Sequence, residues 1–270
     1  MTKVIVSSGL DRLNSLDFRF LQKASELGEV HVLLWSDQAI RGISGREPRY
    51  SQVEREYVVR AVRYVTALHL SGAQVDSDAL PEDLPLRPDI WVTDEEGNPA
   101  ARQRFCLANR LDCRVLSGRD LAGFPEPAPE PMSGRKKVIV TGCYDFFHSG
   151  HVRFFEEAAA LGDLFVVVGN DENVRLLKGE GHPLFTAAER RFTVGAIRHV
   201  KQALVSTGMG WMDAEPEIAW IKPDLYVVNE DGDKPEKREF CEKHGIDYTV
   251  LKRLPKEGLA RRTSTDLRGF

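Results

Sequence analysis

The sequence predicts an α/β protein that contains two doubly wound parallel sheets. Apolar, strand-like runs alternate with helix-like periodic segments through most of the 270 residues, and this alternation is typical of βαβ units. The run Leu164-Phe165-Val166-Val167-Val168 is apolar throughout, which indicates a strand buried on both faces. The same order of elements occurs twice along the chain. We therefore expect two tandem Rossmann-like domains.

The repeat is visible in the residues themselves. Residues 3–37 align without gaps on residues 137–171, and thirteen of the 35 aligned positions are identical. The match resumes one residue out of step, with Glu54-Arg55 on Glu189-Arg190. Chance does not give matches in this order, so we interpret the chain as a tandem duplication.

The second copy has the clearer pattern of elements. Its strands are predicted at 137–142, 164–169, 203–206, 225–229 and 247–251, and its helices at 151–161, 186–198, 214–221 and 236–244. In sheets of this kind, ligands bind beyond the carboxyl ends of the strands. A binding site is therefore expected just after the first strand of this copy.

A proline-rich segment separates the two copies. Within residues 124–134, proline occupies every second position from Pro125 to Pro131, a pattern that excludes a helix or a central strand and favours a stiff polyproline II spacer. We predict a first domain at 1–123, a linker at 124–134 and a second domain at 135–270.

Composition argues against several classes of protein. A net charge of −4 and an isoelectric point near 6.0 argue against a nucleic-acid partner. No apolar run reaches the length of a membrane span and no signal peptide is recognisable, so we expect a cytoplasmic protein without a membrane span. The cysteines lack zinc-site spacing, and no protein-held metal site is predicted: Cys106, Cys113, Cys143 and Cys241.

The segment after strand 137–142 is predicted to bind phosphate. A β-branched strand leads into a short loop, and an apolar-periodic helix follows directly. The free N–H groups and the dipole at a helix N-terminus attract anions. The loop residues that we expect to contact a nucleotide phosphate are Gly142, Cys143, Tyr144 and Asp145.

Two histidines open the following helix. His148 and His151 are three residues apart, so they share one face of the first helical turn. Gly150 lies between them and lets a ligand approach the backbone closely. Two imidazoles beside a glycine at a helix N-terminus favour a phosphate site over a pair of surface caps.

Residues 142–151, Gly-Cys-Tyr-Asp-Phe-Phe-His-Ser-Gly-His, resemble the signature of the cytidylyltransferase-type nucleotidyltransferases, with Cys143 where that family usually has threonine. The resemblance implies that an acceptor phosphate attacks the α-phosphorus of a nucleoside triphosphate and that pyrophosphate leaves. It implies catalytic roles for His148, His151 and Lys178. It also implies Mg²⁺ bound with the triphosphate, and a phosphorylated alcohol or sugar as acceptor, with CMP transfer from CTP favoured over AMP transfer from ATP.

The C-terminus carries a second candidate phosphate site. Three consecutive hydroxyl residues precede an Asp-Leu pair, a pattern typical of a helix start, and the segment is similar to a C-terminal motif of the same family. The residues expected to hold the triphosphate are Arg262, Thr263, Ser264 and Thr265. The family's upstream arginine falls on Gly258, so Arg253 or Arg261 is expected to replace it.

Residues 222–232 resemble the family segment that borders the acceptor pocket, which makes Asn229 and Asp231 candidate pocket residues. Trp211, next to two glycines, is a candidate cover for a ligand, although packing is the commoner role for such a residue. Arg190 and Asp145 have counterparts in the first copy, so a structural role competes with a functional one for both.

The first copy differs where the chemistry is expected. Opposite residues 148–151 it has Asn14-Ser15-Leu16-Asp17, and an aspartate at this position would repel a triphosphate. We predict that this domain is non-catalytic and that it completes an intramolecular pseudo-dimer, with a homodimer as the other possibility.

Two alternatives stay open. The first is the same chemistry with ATP, as in heptose-phosphate adenylyltransferases. The second is a non-catalytic sensor of a nucleotide or sugar nucleotide. A class I aminoacyl-tRNA synthetase, which also uses His-x-Gly-His, is disfavoured because the chain lacks a Lys-Met-Ser-Lys-Ser-like loop.

Overall fold

A computed structural model describes residues 1–126 and 131–263 of the chain. It divides into two compact units, residues 1–123 and 124–270, and each contains one five-stranded sheet in the described residues. All strand pairs are parallel. The predicted α/β class with two Rossmann-like sheets is confirmed.

The first unit has strands and helices in alternation. In chain order they are β1 (Lys3–Ser8), α1 (Ser15–Ser25), β2 (Glu29–Leu34), α2 (Asp37–Ser44), α3 (Gln52–Ala61), β3 (Ala67–Leu70), β4 (Ile90–Asp94), α4 (Pro99–Asn109) and β5 (Asp112–Leu116). The strand order in the sheet is β3-β2-β1-β4-β5, which places β1 at the centre.

The second unit repeats this arrangement and adds a helix. It runs β6 (Lys137–Gly142), α5 (Ser149–Leu161), β7 (Asp163–Val168), α6 (Asp171–Lys178), α7 (Ala187–Gly195), β8 (Val200–Val205), α8 (Glu215–Ile221), β9 (Leu225–Asn229), a 3₁₀ turn (Glu230–Gly232), α9 (Pro235–His244) and β10 (Asp247–Leu251). The strand order is β10-β9-β6-β7-β8. Written from the other edge, this order is β8-β7-β6-β9-β10, which corresponds strand by strand to β3-β2-β1-β4-β5 of the first unit.

The predicted elements of the second unit are found, with shifted ends. Helix α5 begins at Ser149 rather than 151, because His148 already caps it. Helix α7 ends at Gly195 rather than 198, and β8 begins at Val200 rather than 203. Helix α6 was not predicted. It has only eight residues, and of these only Asn173 and Val174 are buried.

The central strands are buried on both faces by flanking helices. Every residue of β7 is buried, as its uninterrupted apolar sequence predicts. On one face of the sheet, Ile139, Phe165 and Tyr226 form a cluster with residues of α8 and α9. Burial of these large side chains holds the strand ends, and therefore the loops that follow them, in fixed positions.

The chain leaves β6 for β7 on one side and later returns to β9 on the other side, so β6 lies at a switch point of the sheet. In open α/β sheets, the crevice at such a point, outside the carboxyl ends of the strands, is the usual ligand site. The loop between β6 and α5 opens into this crevice.

Part of the proposed linker packs on the second unit. The ring of Phe124 lies 5.6 Å from that of Phe192, and Glu126 forms an ion pair of 3.2 Å with Arg191. After residues 127–130, which lie outside the described residues, Ser133 donates to the carboxylate of Asp163. No helix of the described chain is long and apolar enough to cross a membrane.

Candidate active site

A cavity of about 410 Å³ lies beyond the carboxyl ends of β6, β9 and β10. It brings together residues that are far apart in the sequence. Of the predicted site residues, it is lined by Gly142, Cys143, Tyr144, Asp145, His148, Gly150, His151, Lys178, Asn229, Asp231 and Thr263. Residues that sequence reasoning did not assign to a site also line it, among them His182 and Lys237.

His148 forms the N-terminal cap of α5. Its backbone is extended, and its Nδ1 accepts a hydrogen bond of 3.1 Å from the N–H of Gly150. Since Nδ1 accepts, the ring proton of neutral His148 is assigned to Nε2. A Cβ at position 150 would lie 2.9 Å from Nδ1 of His148, so only glycine allows the ring to fold back over the helix start. Gly150 thus positions the imidazole as well as opening the backbone to a ligand.

His151 packs among aromatic rings. Its ring centroid lies 4.0 Å from that of His148, 5.3 Å from that of Tyr144 and 5.5 Å from that of Phe147. Desolvation, then the neighbouring His148, Arg253 and Lys178, hold the pKa of His151 well below its usual value. His151 is therefore neutral at physiological pH and acts as a hydrogen-bonding group rather than as a cation.

The loop between β6 and α5 is fixed by its own side chains. Tyr144 is buried with a φ of +56°, and its ring lies where a side chain at Gly142 would be, 2.8 Å from an ideal Cβ. The buried carboxylate of Asp145 accepts hydrogen bonds from the N–H groups of Leu184 and Phe185, at 2.9 and 3.0 Å. Asp145 therefore ties this loop to the segment that precedes α7.

Arg190 also connects the loop between β6 and α5 to the segment that precedes α7. Its guanidinium is buried and donates to the carbonyl oxygens of Phe185, Cys143 and Gly169 at 2.9, 2.7 and 2.8 Å, and to Asp171 at 2.7 Å. Nε and both terminal nitrogens of Arg190 donate to these backbone and side-chain acceptors, so Arg190 has a structural role. Cys143 contributes its carbonyl oxygen here, a contact that does not need the hydroxyl of the family's usual threonine.

Three cationic side chains of the described residues line the cavity. Lys178 is the last residue of α6. Arg253 pairs with Asp231, and the ammonium of Lys237 lies 3.3 Å from the carbonyl oxygen of Gly232 and 5.8 Å from the ring centre of Tyr226. Desolvation lowers the pKa of Lys237. These cations and the histidine pair therefore share one cavity.

Residues 139–259 match the model of the family described as cytidylyltransferase-like. A FAD synthase of Ferroglobus placidus is 38% identical over 125 residues, which are 45% of this chain and 78% of that protein. The bifunctional protein HldE of Methylococcus capsulatus is 36% identical over 104 residues, 38% of this chain but only 21% of HldE. The chain thus spans about a fifth of that second relative.

The chain belongs to the cytidylyltransferase-like family. It is a nucleotidyltransferase, as the sequence predicted, and the matched residues lie in the second unit. A solved structure, the lipopolysaccharide core biosynthesis protein from Thermoplasma volcanium, matches 46% of the chain at 24% identity with a TM-score of 0.39. That score is too low to add to the assignment.

Some predicted site residues of the nucleotidyltransferase lie elsewhere. Trp211 is 55% exposed and is not among the residues that line the cavity. Arg262 and Arg261 line a smaller neighbouring cleft, which shares Gly150 and Arg253 with the main cavity. Ser264 and Thr265 lie outside the described residues.

The first unit of the nucleotidyltransferase keeps the scaffold without the histidines. Arg55 donates to the carbonyls of Tyr50, Gly9 and Trp35 and to Asp37, as Arg190 does in the second unit. Asp11 accepts from the N–H groups of Arg49 and Tyr50, as Asp145 does from Leu184 and Phe185. The scaffold of the loop is thus the same in both units.

In the first unit, other residue types occupy the positions of the two histidines. Asn14 caps α1 through its side chain, in the place of His148. Asp17 takes the place of His151, and burial raises the pKa of its carboxyl to about 6. The guanidinium of Arg12 lies 3.7 Å from this carboxyl and opposes the shift in pKa. Neither side chain offers an imidazole to a phosphate.

Proposed function

We propose that the second unit transfers AMP from ATP to a phosphorylated small molecule and releases pyrophosphate. The observation that carries this proposal is the cavity that unites His148, His151 and Lys178 at the N-terminus of α5. A FAD synthase makes FAD, whose adenosine half is an AMP unit, and this favours ATP as the donor. The expected preference for CMP has no support among the relatives.

The reaction needs no general base. A phosphate monoester has a second pKa of about 6, so most of the acceptor is a dianion at neutral pH. One of its oxygens forms a bond to the α-phosphorus, and the bond from the α-phosphorus to the oxygen that bridges to the β-phosphate breaks. Pyrophosphate leaves with that electron pair. The protein must therefore supply position and fixed donors rather than a proton acceptor.

The histidines supply donors where negative charge develops. His148 offers its Nε2 proton, because Nδ1 is already occupied by the N–H of Gly150. The lowered pKa of His151 favours its neutral form, so we expect this ring to offer the α-phosphate a hydrogen bond rather than a charge. The dipole of the 13-residue helix α5 adds a fixed positive end beneath both rings.

The cationic residues of the cavity suit the two phosphate groups that flank the α-phosphorus. We assign Lys178 to the acceptor, and Arg253, Arg262 and Thr263 to the triphosphate, with the hydroxyls of Ser264 and Thr265 as predicted further contacts. Asn229 and Asp231 line the same cavity and are kept as candidate residues of the acceptor pocket. An in-line displacement requires the acceptor and the leaving group on opposite sides of the α-phosphorus, and this assignment gives each of them its own cationic residue.

Mg²⁺ is expected to enter with the triphosphate. Among residues 1–126 and 131–263, no group of three or more His, Cys, Asp or Glu side chains could hold a metal ion. Asp145, an acid of the loop between β6 and α5, accepts hydrogen bonds from backbone N–H groups. The phosphate oxygens of the nucleotide are hard ligands of the kind that Mg²⁺ prefers.

We also propose that the first unit is a non-catalytic relative of the second. The shared strand order and the matching contacts of Arg55 and Arg190 support an origin by duplication. Asn14 and Asp17 stand where the imidazoles would be, and a carboxylate at the start of α1 disfavours a triphosphate. A structural contribution to the whole enzyme is the role that remains for this unit.

The test is pyrophosphate release by the full chain. ATP and CTP are each combined with Mg²⁺ and with flavin mononucleotide, heptose phosphate, glycerol phosphate, phosphocholine or phosphoethanolamine. We expect an acceptor-dependent signal with ATP that the double variant His148→Ala/His151→Ala abolishes. A signal with CTP alone would contradict AMP transfer. Nucleotide binding without release for any acceptor, extended to a wider panel, would favour a sensor.

A further inference from the structure

His182 lies in the cavity but has no assigned role in the proposed reaction. Its side chain is 15% exposed, and it lines the same cavity as Lys178, which lies four residues earlier in the chain. Nδ1 of His182 lies 3.4 Å from Oδ2 of Asp145. Because a carboxylate only accepts, Nδ1 is the donor in this contact. The other ring nitrogen, Nε2, is on the opposite edge of the imidazole.

The carboxylate that faces His182 is itself fixed. Asp145 is 5% exposed, and its oxygens accept from the N–H groups of Leu184 and Phe185. Those two residues follow His182 almost directly, so the histidine and its carboxylate partner are held by one loop. A ring oriented in this way is a preorganised group rather than a mobile surface side chain.

Comparison of the two units shows which part of this loop is scaffold. The N–H donors to Asp145 are matched by Arg49 and Tyr50, which donate to Asp11 in the first unit. Thr186 and Ser51 cap the next helix in each unit. Counting back from these matched contacts, Pro183 corresponds to Pro48, and His182 corresponds to Glu47.

The first unit therefore lacks all three imidazoles at once. Asn14, Asp17 and Glu47 stand at the positions of His148, His151 and His182, whereas the aspartate, the arginine and the proline around them are kept. If His182 served only to hold the loop, its replacement would not be expected to accompany the loss of the other two. Glu47 is 75% exposed and pairs with Arg41, so the loop folds without an imidazole.

We infer that His182 binds the phosphate group of the acceptor, together with Lys178. An imidazolium donates from both nitrogens, so one N–H can be held by Asp145 while the other meets a phosphate oxygen. The inference rests on the proposed function, because it takes the acceptor to be a phosphate ester that lies on the Lys178 side.

The test uses inorganic phosphate as the probe. The full chain is saturated with α,β-methylene-ATP, which cannot release pyrophosphate, so the triphosphate site is filled. Phosphate is then titrated by calorimetry into the wild type, into His182→Gln and into the matched control Glu47→Gln. Glutamine keeps the bulk of the side chain but cannot become a cation.

We expect His182→Gln to bind phosphate about 10- to 100-fold more weakly, the range for loss of one charge-assisted hydrogen bond. The affinity for α,β-methylene-ATP and the melting temperature are expected to stay near wild type, and Glu47→Gln is expected to change neither affinity. In steady state, KM for the acceptor rises while kcat changes little.

Three results would overturn the inference. They are equal phosphate affinity in wild type and His182→Gln, no saturable phosphate binding by the wild type, and a parallel loss of nucleotide affinity and melting temperature, which would mark a structural role. Failure of the proposed function gives a different result. In that case no nucleotide and acceptor release pyrophosphate, whereas the phosphate titration still decides the role of His182.

Discussion

The residue with two tasks in this site is His148. It caps α5 through Nδ1 and lines the cavity, so replacement by alanine would remove a helix cap together with an imidazole. The first unit shows how to separate these tasks, because Asn14 caps α1 at the equivalent position. Asparagine and histidine thus support the same local backbone with different chemistry.

We predict that His148→Asn lowers kcat by roughly 10²–10³, the scale for removal of one preorganised donor. The melting temperature should stay within about 2 °C of wild type because asparagine is a good N-cap. Pyrophosphate release and calorimetry measure the two quantities on the same sample. Turnover within a factor of three of wild type would refute the role of the imidazole.

Asp17 gives a prediction about pH. Burial raises the pKa of this carboxyl from 3.8 to about 6, so the folded state holds a proton that the unfolded state has lost between these values. The stability that this proton provides is complete below pH 4 and disappears as the pH rises through 6. At pH 8 the chain therefore carries a buried carboxylate that is poorly compensated.

Asp17→Asn should accordingly stabilise the first unit at pH 8 by roughly 1–3 kcal/mol, the free energy that corresponds to such a pKa shift. At pH 4 it should have little effect, because the carboxyl is then protonated in the folded state and only partly ionised in the unfolded state. Urea unfolding at the two pH values is the measurement. An equal effect at pH 4 and pH 8 would show that desolvation of the carboxylate is not the cause.

At the scale of elements, the site depends on loops held by a buried arginine in each unit. Arg190 satisfies three carbonyl oxygens from the segments after β6, after β7 and before α7. Arg55 does the same after β1, after β2 and before α3. Removal of either guanidinium would leave buried acceptors without a donor.

We expect Arg190→Met and Arg55→Met each to lower the free energy of unfolding of their own unit by about 3 kcal/mol or more. Only Arg190→Met should also reduce turnover strongly, since it loosens the loop that carries Cys143 and Asp145. Hydrogen exchange resolved by segment locates the effect, and pyrophosphate release at 25 °C reports the activity. An equal loss of activity in both variants would contradict this division.

The elements also show what the sequence could and could not predict. The strand, loop and helix around residues 137–161 were predicted because periodicity and capping chemistry are local properties. Helix α6, which ends in Lys178, was missed because its eight residues give little more than two turns of periodic pattern. His182 was missed because its partner Asp145 is 37 residues away, and only the fold brings them together.

At the scale of the whole molecule, two sheets of the same topology are followed by loops with different side chains at the equivalent positions. We predict that each chain binds one ATP and not two, because Asp17 and Asn14 disfavour a triphosphate in the first unit. Calorimetric titration of α,β-methylene-ATP should give a stoichiometry near one per chain. A stoichiometry near two that falls to one in Asn14→Ala would contradict the non-catalytic role of this unit.

The paired arginine anchors have a practical consequence for protein engineering. Because Arg55 already clamps the first unit as Arg190 clamps the second, a graft of active-site side chains would meet a backbone of matching shape. Asn14→His, Leu16→Gly, Asp17→His and Glu47→His would transplant the imidazoles and their glycine onto that template. The first unit can therefore receive these side chains. Its activity, compared with that of the second unit in the same chain, would show whether a few side chains are enough for catalysis.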